Sequence, residues 1–141
     1  MSLEGKTALV SGASRGIGAE IARELAGMDA LVYINYNRSE EAAGKVKEEI
    51  ERDGGRAEIV KFDVANSAEV TESVKAILGD VKKIDILVNN AGLTRDNIFA
   101  MMKDSDWSDV IDTNLGGVFS LTKAVIRPMI NIRHSYRPQA F

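Results

Sequence analysis

The 141-residue sequence predicts an α/β fold, a parallel sheet of about four strands with helices on both faces. Three observations carry that prediction. Short apolar runs alternate four times with segments of helical period, the pattern that crossover connections impose on a parallel sheet. No stretch between them has the composition of a linker, so a single domain is expected. The first apolar run leads straight into a glycine-rich turn from which a helix opens.

The first element, Thr7-Ala8-Leu9-Val10, is bounded by Gly5 and Gly12 and reads as a buried strand. Ile17, Ile21, Ala22 and Leu25 then recur at helical spacing, and Gly27 is the expected stop. Residues 30–34 form a second apolar run. Ser39 caps the next helix, Glu40 and Glu41 suit its positive end, and it runs to Arg52 before Asp53-Gly54-Gly55. Residues 57–62 make the third strand. Asn66 with Glu69 resembles a capping box for a helix that buries Val70, Val74, Ile77 and Leu78 and ends at Gly79. Residues 84–88 make the fourth strand, and residues 92–103 a loop holding Met101 and Met102, which are read as adaptable packing. The last helix opens near Asp104 and carries Trp107, Val110, Ile111, Leu115, Val118, Phe119, Val125 and Met129.

Composition narrows the chemistry. The absence of cysteine excludes a disulfide framework, a thiolate metal site and a cysteine nucleophile, and no metal site is predicted. Eighteen basic against 21 acidic residues argue against a nucleic-acid footprint, which needs a basic face. No apolar run approaches the roughly 18 residues of a membrane span, and the start lacks a signal-peptide layout. A cytoplasmic protein is the expectation.

The turn Ser11-Gly12-Ala13-Ser14-Arg15-Gly16-Ile17-Gly18 carries the functional signal. A tight strand-to-helix turn needs a residue without Cβ, and so does a backbone that approaches a pyrophosphate. The N–H groups at the helix start then attract phosphate charge. The spacing, G-x-x-x-G-x-G, is neither the G-x-G-x-x-G fingerprint nor a P-loop. A glycine-rich connection without a ligand is the plainer alternative, but the position between the first strand and first helix favours a Rossmann-like dinucleotide site. A carboxylate closing the second strand would hold the ribose 2′-OH of NAD. Here that strand closes with Asn35-Tyr36-Asn37-Arg38, and Arg15 and Arg38 would instead meet a 2′-phosphate. NADP(H) is therefore favoured, with surface charges as the plainer reading of either arginine.

With these residues in hand, the chain resembles the short-chain dehydrogenase/reductase family, most of all its bacterial β-ketoacyl–acyl-carrier-protein reductases. Four separated motifs carry the resemblance: the glycine turn, Asp63-Val64, Asn89-Asn90-Ala91-Gly92, and Asn114. It implies that Gly12, Ser14, Arg15, Gly16, Ile17 and Gly18 hold the cofactor phosphates, beside Asn37 and Arg38. It also implies that Asp63 and Val64 meet the adenine, and that Asn89, Ala91 and Gly92 line the adenosine and the middle of the cofactor. Asn114 matches the family's catalytic Asn, which supports a proton-relay water. The plainer role of these asparagines is to fix loop and helix geometry, and it is compatible with the first.

The resemblance runs to about His134, where the family goes on to a substrate-holding Ser and a Tyr-x-x-x-Lys pair. A Tyr has a pKa near ~10 and needs the Lys charge to act as an acid at neutrality. Tyr136 has Ala140 four residues on, and Ser135, Tyr136 and His134 read as tail residues. The expectation is a truncated cofactor-binding domain over residues 1–134 with an unrelated tail over 135–141. Alone it would bind NADP(H) without reducing ketones, the acyl-carrier-protein substrate and fatty acid biosynthesis entering only through the resemblance. The alternative is a non-enzymatic nucleotide-binding or assembly protein of the same fold. The family's strand order, 3-2-1-4, would leave the fourth strand as a bare edge, so a homo-oligomer through that edge or the last helix is expected. A flavodoxin-like rearrangement of the strands is a further option.

Overall fold

The computed structural model describes residues 1–130, so the readings of His134, Ser135, Tyr136 and the 135–141 tail lie outside the described residues. The four strands are β1 (Thr7–Val10), β2 (Leu31–Tyr36), β3 (Arg56–Lys61) and β4 (Ile86–Val88). They form one parallel sheet in the order β3-β2-β1-β4. That is the expected order, and the flavodoxin-like option is set aside.

Side chains alternate across a strand, which assigns each face its helices. Ala8, Val10, Val32 and Ile34 point to one side and pack against Ala19, Ala22 and Ala26 of α1 (Gly16–Gly27) and Ala43, Val46 and Ile50 of α2 (Glu40–Arg52). Leu9 and Tyr33 point to the other. They meet Val70, Val74 and Ile77 of α3 (Ser67–Asp80), together with Leu121 and Val125 from the last helix. Burying each large aliphatic side chain contributes roughly 1.5–3 kcal/mol. The alanine stripe of α1 lets that helix lie close to the strands beneath the glycine turn.

The helix ends reflect local chemistry. Ser39 Oγ accepts from Ala42 N–H and starts α2, and Asn66 Oδ1 accepts from the N–H groups of Ala68 and Glu69 to start α3. Glu69 does not close a reciprocal capping box: its carboxylate accepts from Asp63 N–H at 2.9 Å and from the Asn66 side chain. α1 ends at Gly27, as expected, but Gly27 is not its left-handed cap. The left-handed position is Asp29 (φ 74°), where Asp29 N–H donates to Ala26 and Ala30 N–H to Leu25. Gly79, by contrast, is inside α3, which closes at Asp80.

The region after β4 differs most from expectation. A short 3-10 turn (Phe99–Met101) interrupts the loop, and the single helix expected beyond it is three pieces. These are α4 (Asp104–Ile111), a π-helical turn (Asp112–Gly116) and α5 (Gly117–Met129). The π turn inserts one extra residue and re-aims the helix beyond it. It is also where Asn114 sits. Gly117 fits directly against β3's exit, since a Cβ there would stand 2.8 Å from Val64 Cγ2.

Candidate functional site

The first β-to-α turn is held from three sides. Gly12 has φ 63°, and Gly16 φ 57°, both in the left-handed region that glycine enters without strain. A methyl on Gly12 would lie 2.8 Å from the Ala91 Cα, so the turn and the segment after β4 touch backbone to backbone. A methyl on Gly18 would strike the Asn90 side-chain amide and come within 2.7 Å of Gly12 O. The three glycines thus have separate reasons to be there: close approach, turn geometry, and helix packing.

Buried polar groups pin the turn to its neighbours. Ser11 Oγ donates to Val88 O and accepts from the N–H groups of Asn90 and Ala91, both at 3.0 Å. The Asn90 amide donates to Ser11 O and Gly12 O. Asn35, 2% exposed, accepts from Gly12 N–H at 3.0 Å and donates to Phe62 O at 3.0 Å. No buried side-chain nitrogen or oxygen among the described residues lacks a partner.

These contacts shape a cleft of about 520 Å³ at the carboxyl ends of the strands. Open α/β sheets place ligands at this end, beside the point between β1 and β4 where the strand order reverses. The start of α1 opens there without a capping side chain: Arg15 is extended (φ −165°, ψ 173°) and makes no cap bond. The first N–H groups of a helix have no partner within it, so this end carries free donors and the positive end of the helix dipole.

Of the residues singled out from the sequence, Gly12, Ser14, Arg15, Asn37, Arg38, Asp63, Val64, Ala91 and Gly92 line the cleft. Arg15 and Arg38 are exposed, and among the described residues neither forms an ion pair. Asp63 Oδ1 accepts from Ala65 N–H and so braces its own turn. Gly16, Ile17, Gly18, Asn89 and Asn114 are outside the lining. Ile17 is 75% exposed and Gly18 is buried packing. The Asn89 amide donates to Thr122 Oγ1. Asn114 pairs with the main chain of Leu93 in both directions, accepting at 2.8 Å and donating at 2.9 Å.

The far wall includes Arg95, Asp109, Asp112 and Thr113, with Arg95 paired to Asp109 at 3.6 Å. Tyr36 closes the inner end. Burial first, then the Glu40 carboxylate, push its hydroxyl above the ordinary phenol range. Tyr33 is pushed the same way by burial and by Asp80 and Glu58. Among the described residues there is no cluster of three metal-ligating side chains, and no helix is long and apolar enough to cross a membrane.

Sequence reasoning missed Ser11 and Asn35 as parts of this site. The available signal was a polar residue at the carboxyl end of each of two otherwise apolar strands, where a buried side chain must find partners.

Known proteins with the same features are numerous. The chain is 48% identical over 129 residues to a 3-oxoacyl-(acyl-carrier-protein) reductase of Synechocystis, covering 92% of this chain and 52% of that protein. It is 47% identical over 134 residues to the 3-oxoacyl-(acyl-carrier-protein) reductase FabG of Escherichia coli, with 95% and 53% covered. The chain thus spans about half the length of the curated relatives it matches. Among solved structures, a metagenomic short-chain oxidoreductase in complex with NADP superposes with a TM-score of 0.88 at 36% identity, over 92% of this chain and 58% of that one. A dehydrogenase/reductase from Sinorhizobium meliloti 1021 gives 0.87 at 34% identity, over 91% and 51%. The short chain dehydrogenase family model matches residues 6–136, and the chain belongs to that family.

Proposed function

We propose that the chain is the dinucleotide-binding part of an NADPH-dependent reductase of 3-oxoacyl thioesters, and that these 141 residues bind the cofactor without completing the reaction. The observation that carries this reading is the uncapped start of α1, opening into a cleft lined by Arg15 and Arg38 with no carboxylate closing β2. A dinucleotide phosphate needs a concave backbone, free N–H donors and positive charge, and each has its counterpart here. The names of the relatives and the NADP complex of a structural neighbour support the same assignment.

In this reading the main chain from Gly12 through Ser14, Gly16, Ile17 and Gly18 holds the pyrophosphate, and Arg15, Asn37 and Arg38 receive the 2′-phosphate. Asp63 and Val64 meet the adenine. Asn89, Ala91 and Gly92 border the adenosine and the middle of the cofactor. When bound, the cofactor supplies the hydride for carbonyl reduction. Asn114 holds Leu93 and with it the entrance of the loop after β4.

None of the three tyrosines in the sequence has the spacing to lysine that a proton donor of this family uses. Tyr33, Tyr36 and Tyr136 are followed four positions on by Asn37, Glu40 and Ala140 rather than by lysine. Tyr33 and Tyr36 are buried, and their environment makes ionisation harder, the reverse of what an acid at neutral pH requires. Residues 1–134 are assigned to the binding unit, with 135–141 outside it. Self-association is part of the proposal. Trp107, Leu115, Phe119 and Ile126 are exposed along α4 to α5, and Ile86, Leu87 and Val88 are only half-buried at the sheet edge, an apolar surface that a second copy would cover.

Calorimetric titration with NADPH and NADH tests the reading. NADPH should bind about tenfold or more tightly than NADH, the size of one charge-assisted contact of roughly 1.5–3 kcal/mol. Arg38→Ala should weaken NADPH toward the NADH level, Arg15 and Asn37 keeping part of the preference, and leave NADH unchanged. No heat with NADPH would refute cofactor binding, and NADPH oxidation on addition of a 3-oxoacyl thioester would refute the incomplete reaction.

A further inference from the structure

Asn35 holds the glycine turn from the β2 side with both its side chain and its main chain. Its Oδ1 accepts from Gly12 N–H at 3.0 Å, and its own main-chain O accepts from Ala13 N–H at 2.9 Å. Two successive N–H groups of the turn are therefore committed inward. The donors left facing the cleft are those from Ser14 onward. The other end of the same amide, Nδ2, donates to Phe62 O at 3.0 Å and reaches Tyr36 O at 3.3 Å. Phe62 directly precedes Asp63 and Val64, which line the opposite part of the cleft.

A buried amide is an unusual side chain for this position. Residues 31–34 of β2 are apolar, the strand is inside the sheet, and an aliphatic residue would satisfy the packing without a desolvated amide. What an aliphatic residue cannot do is bond a turn N–H on one side and a carbonyl of the next strand exit on the other. We infer that Asn35 is a positioning residue of the cofactor site: one amide fixes which turn donors face an anion and ties that turn to the Phe62–Val64 wall. The inference rests on the dinucleotide reading. It adds a residue outside the glycine motif, and it makes the phosphate side and the base side of the cleft one mechanically linked unit.

The test uses the 141-residue chain, Asn35→Leu and Asn35→Ser. Leu keeps the volume and removes every side-chain bond, whereas a Ser hydroxyl still accepts one and donates one. Each is titrated with NADPH, and separately with adenosine 2′,5′-bisphosphate, below the onset of its own thermal unfolding. Asn35→Leu should weaken both ligands by about tenfold or more, with Asn35→Ser falling between it and the unaltered chain. The Gly12 amide resonance should move in the free Leu variant, and the amide resonances of Asp63 and Val64 should move with it. Unchanged affinities in a folded Asn35→Leu, or in Asn35→Ser should the Leu variant fail to fold, would overturn the inference. So would a lowered melting temperature as the only effect. If the unaltered chain binds neither ligand, the dinucleotide reading fails first, and the resonance coupling between Gly12 and Asp63 then decides the linkage by itself.

Discussion

Three glycine-to-alanine substitutions should give three different stability changes, because the three sites differ in conformation and in space. Gly12 has both constraints: φ is 63°, and the added Cβ would lie 2.8 Å from Ala91 Cα, 3.1 Å from Ala91 Cβ and 3.2 Å from Ala91 N. A left-handed L-residue costs roughly 1–2 kcal/mol, and forcing a methyl against packed neighbours about 1–3 kcal/mol more. The neighbour here is main chain, already fixed by the bond from Ala91 N–H to Ser11 Oγ, so it cannot swing away. Gly12→Ala should therefore lose roughly 2–5 kcal/mol. Gly16 has the conformation without the crowding, φ 57° with nothing within 4 Å, and Gly16→Ala should lose only about 1–2 kcal/mol. Gly44, in the middle of α2 with open space around it, has neither constraint, and Gly44→Ala should gain roughly 0.5–1 kcal/mol. Urea unfolding followed by circular dichroism, with the slope checked for constancy, measures all three. Losses at Gly12 and Gly16 within about 0.5 kcal/mol of each other, the scale of non-additivity between such measurements, would refute the close backbone approach to Ala91.

Asp85 should make stability depend on acid. Burial pushes its carboxyl up, but the Thr7 N–H and the Lys83 and Lys6 ammonium groups outweigh it and hold the group below the usual carboxylate range. A folded-state value below the unfolded one stabilises above the unfolded pKa, and that contribution is lost as pH falls through the folded one. The stability gap between the unaltered chain and Asp85→Asn should thus shrink below about pH 4, and a gap constant from pH 7 to pH 2 in denaturant titrations would count against it. Phe119→Asp places a charge on the exposed apolar side of α5, beside the Lys123 ammonium that lies 5.5 Å from the ring. Sedimentation should show the variant shifted toward monomer, and an unaltered chain that is already monomeric at micromolar concentration would remove the oligomer.

Local signals were legible in the sequence where one residue decides one bond. Ser39 and Asn66 cap α2 and α3 because each side chain needs only its own helix start. Gly54 ends α2 in the left-handed seat (φ 87°) for the same reason. The signal weakens when two residues compete for one role. α1 does end at Gly27, but the left-handed seat that a glycine would suit falls two residues later, at Asp29. β2 begins at Leu31 rather than at residue 30 and extends to Tyr36 because β3 pairs with it through Lys61. At β4, Asp85 uses its side chain to take the Thr7 N–H that a ladder carbonyl would accept, so regular pairing begins only at Ala8 and Ile86.

Helical period hides an insertion of one residue, which is why the π turn around Asn114 gave no sign of itself. Apolar residues recur at spacings of three and four across the widened turn, at Trp107, Val110, Ile111, Leu115, Val118, Leu121 and Val125, so nothing in the spacing marks it. Only tertiary contacts do: Gly117 against Val64 on one side, Asn114 against Leu93 on the other. The candidate site divides along the same line. Its glycines were legible because their conformations are rare and few residues can adopt them. Ser11, Asn35 and Asn90, which hold those glycines in place, are ordinary polar residues whose meaning depends on which strand lies next to which. The order β3-β2-β1-β4 brings the exits of all four strands together. Once it does, these three polar side chains become the frame of the cleft.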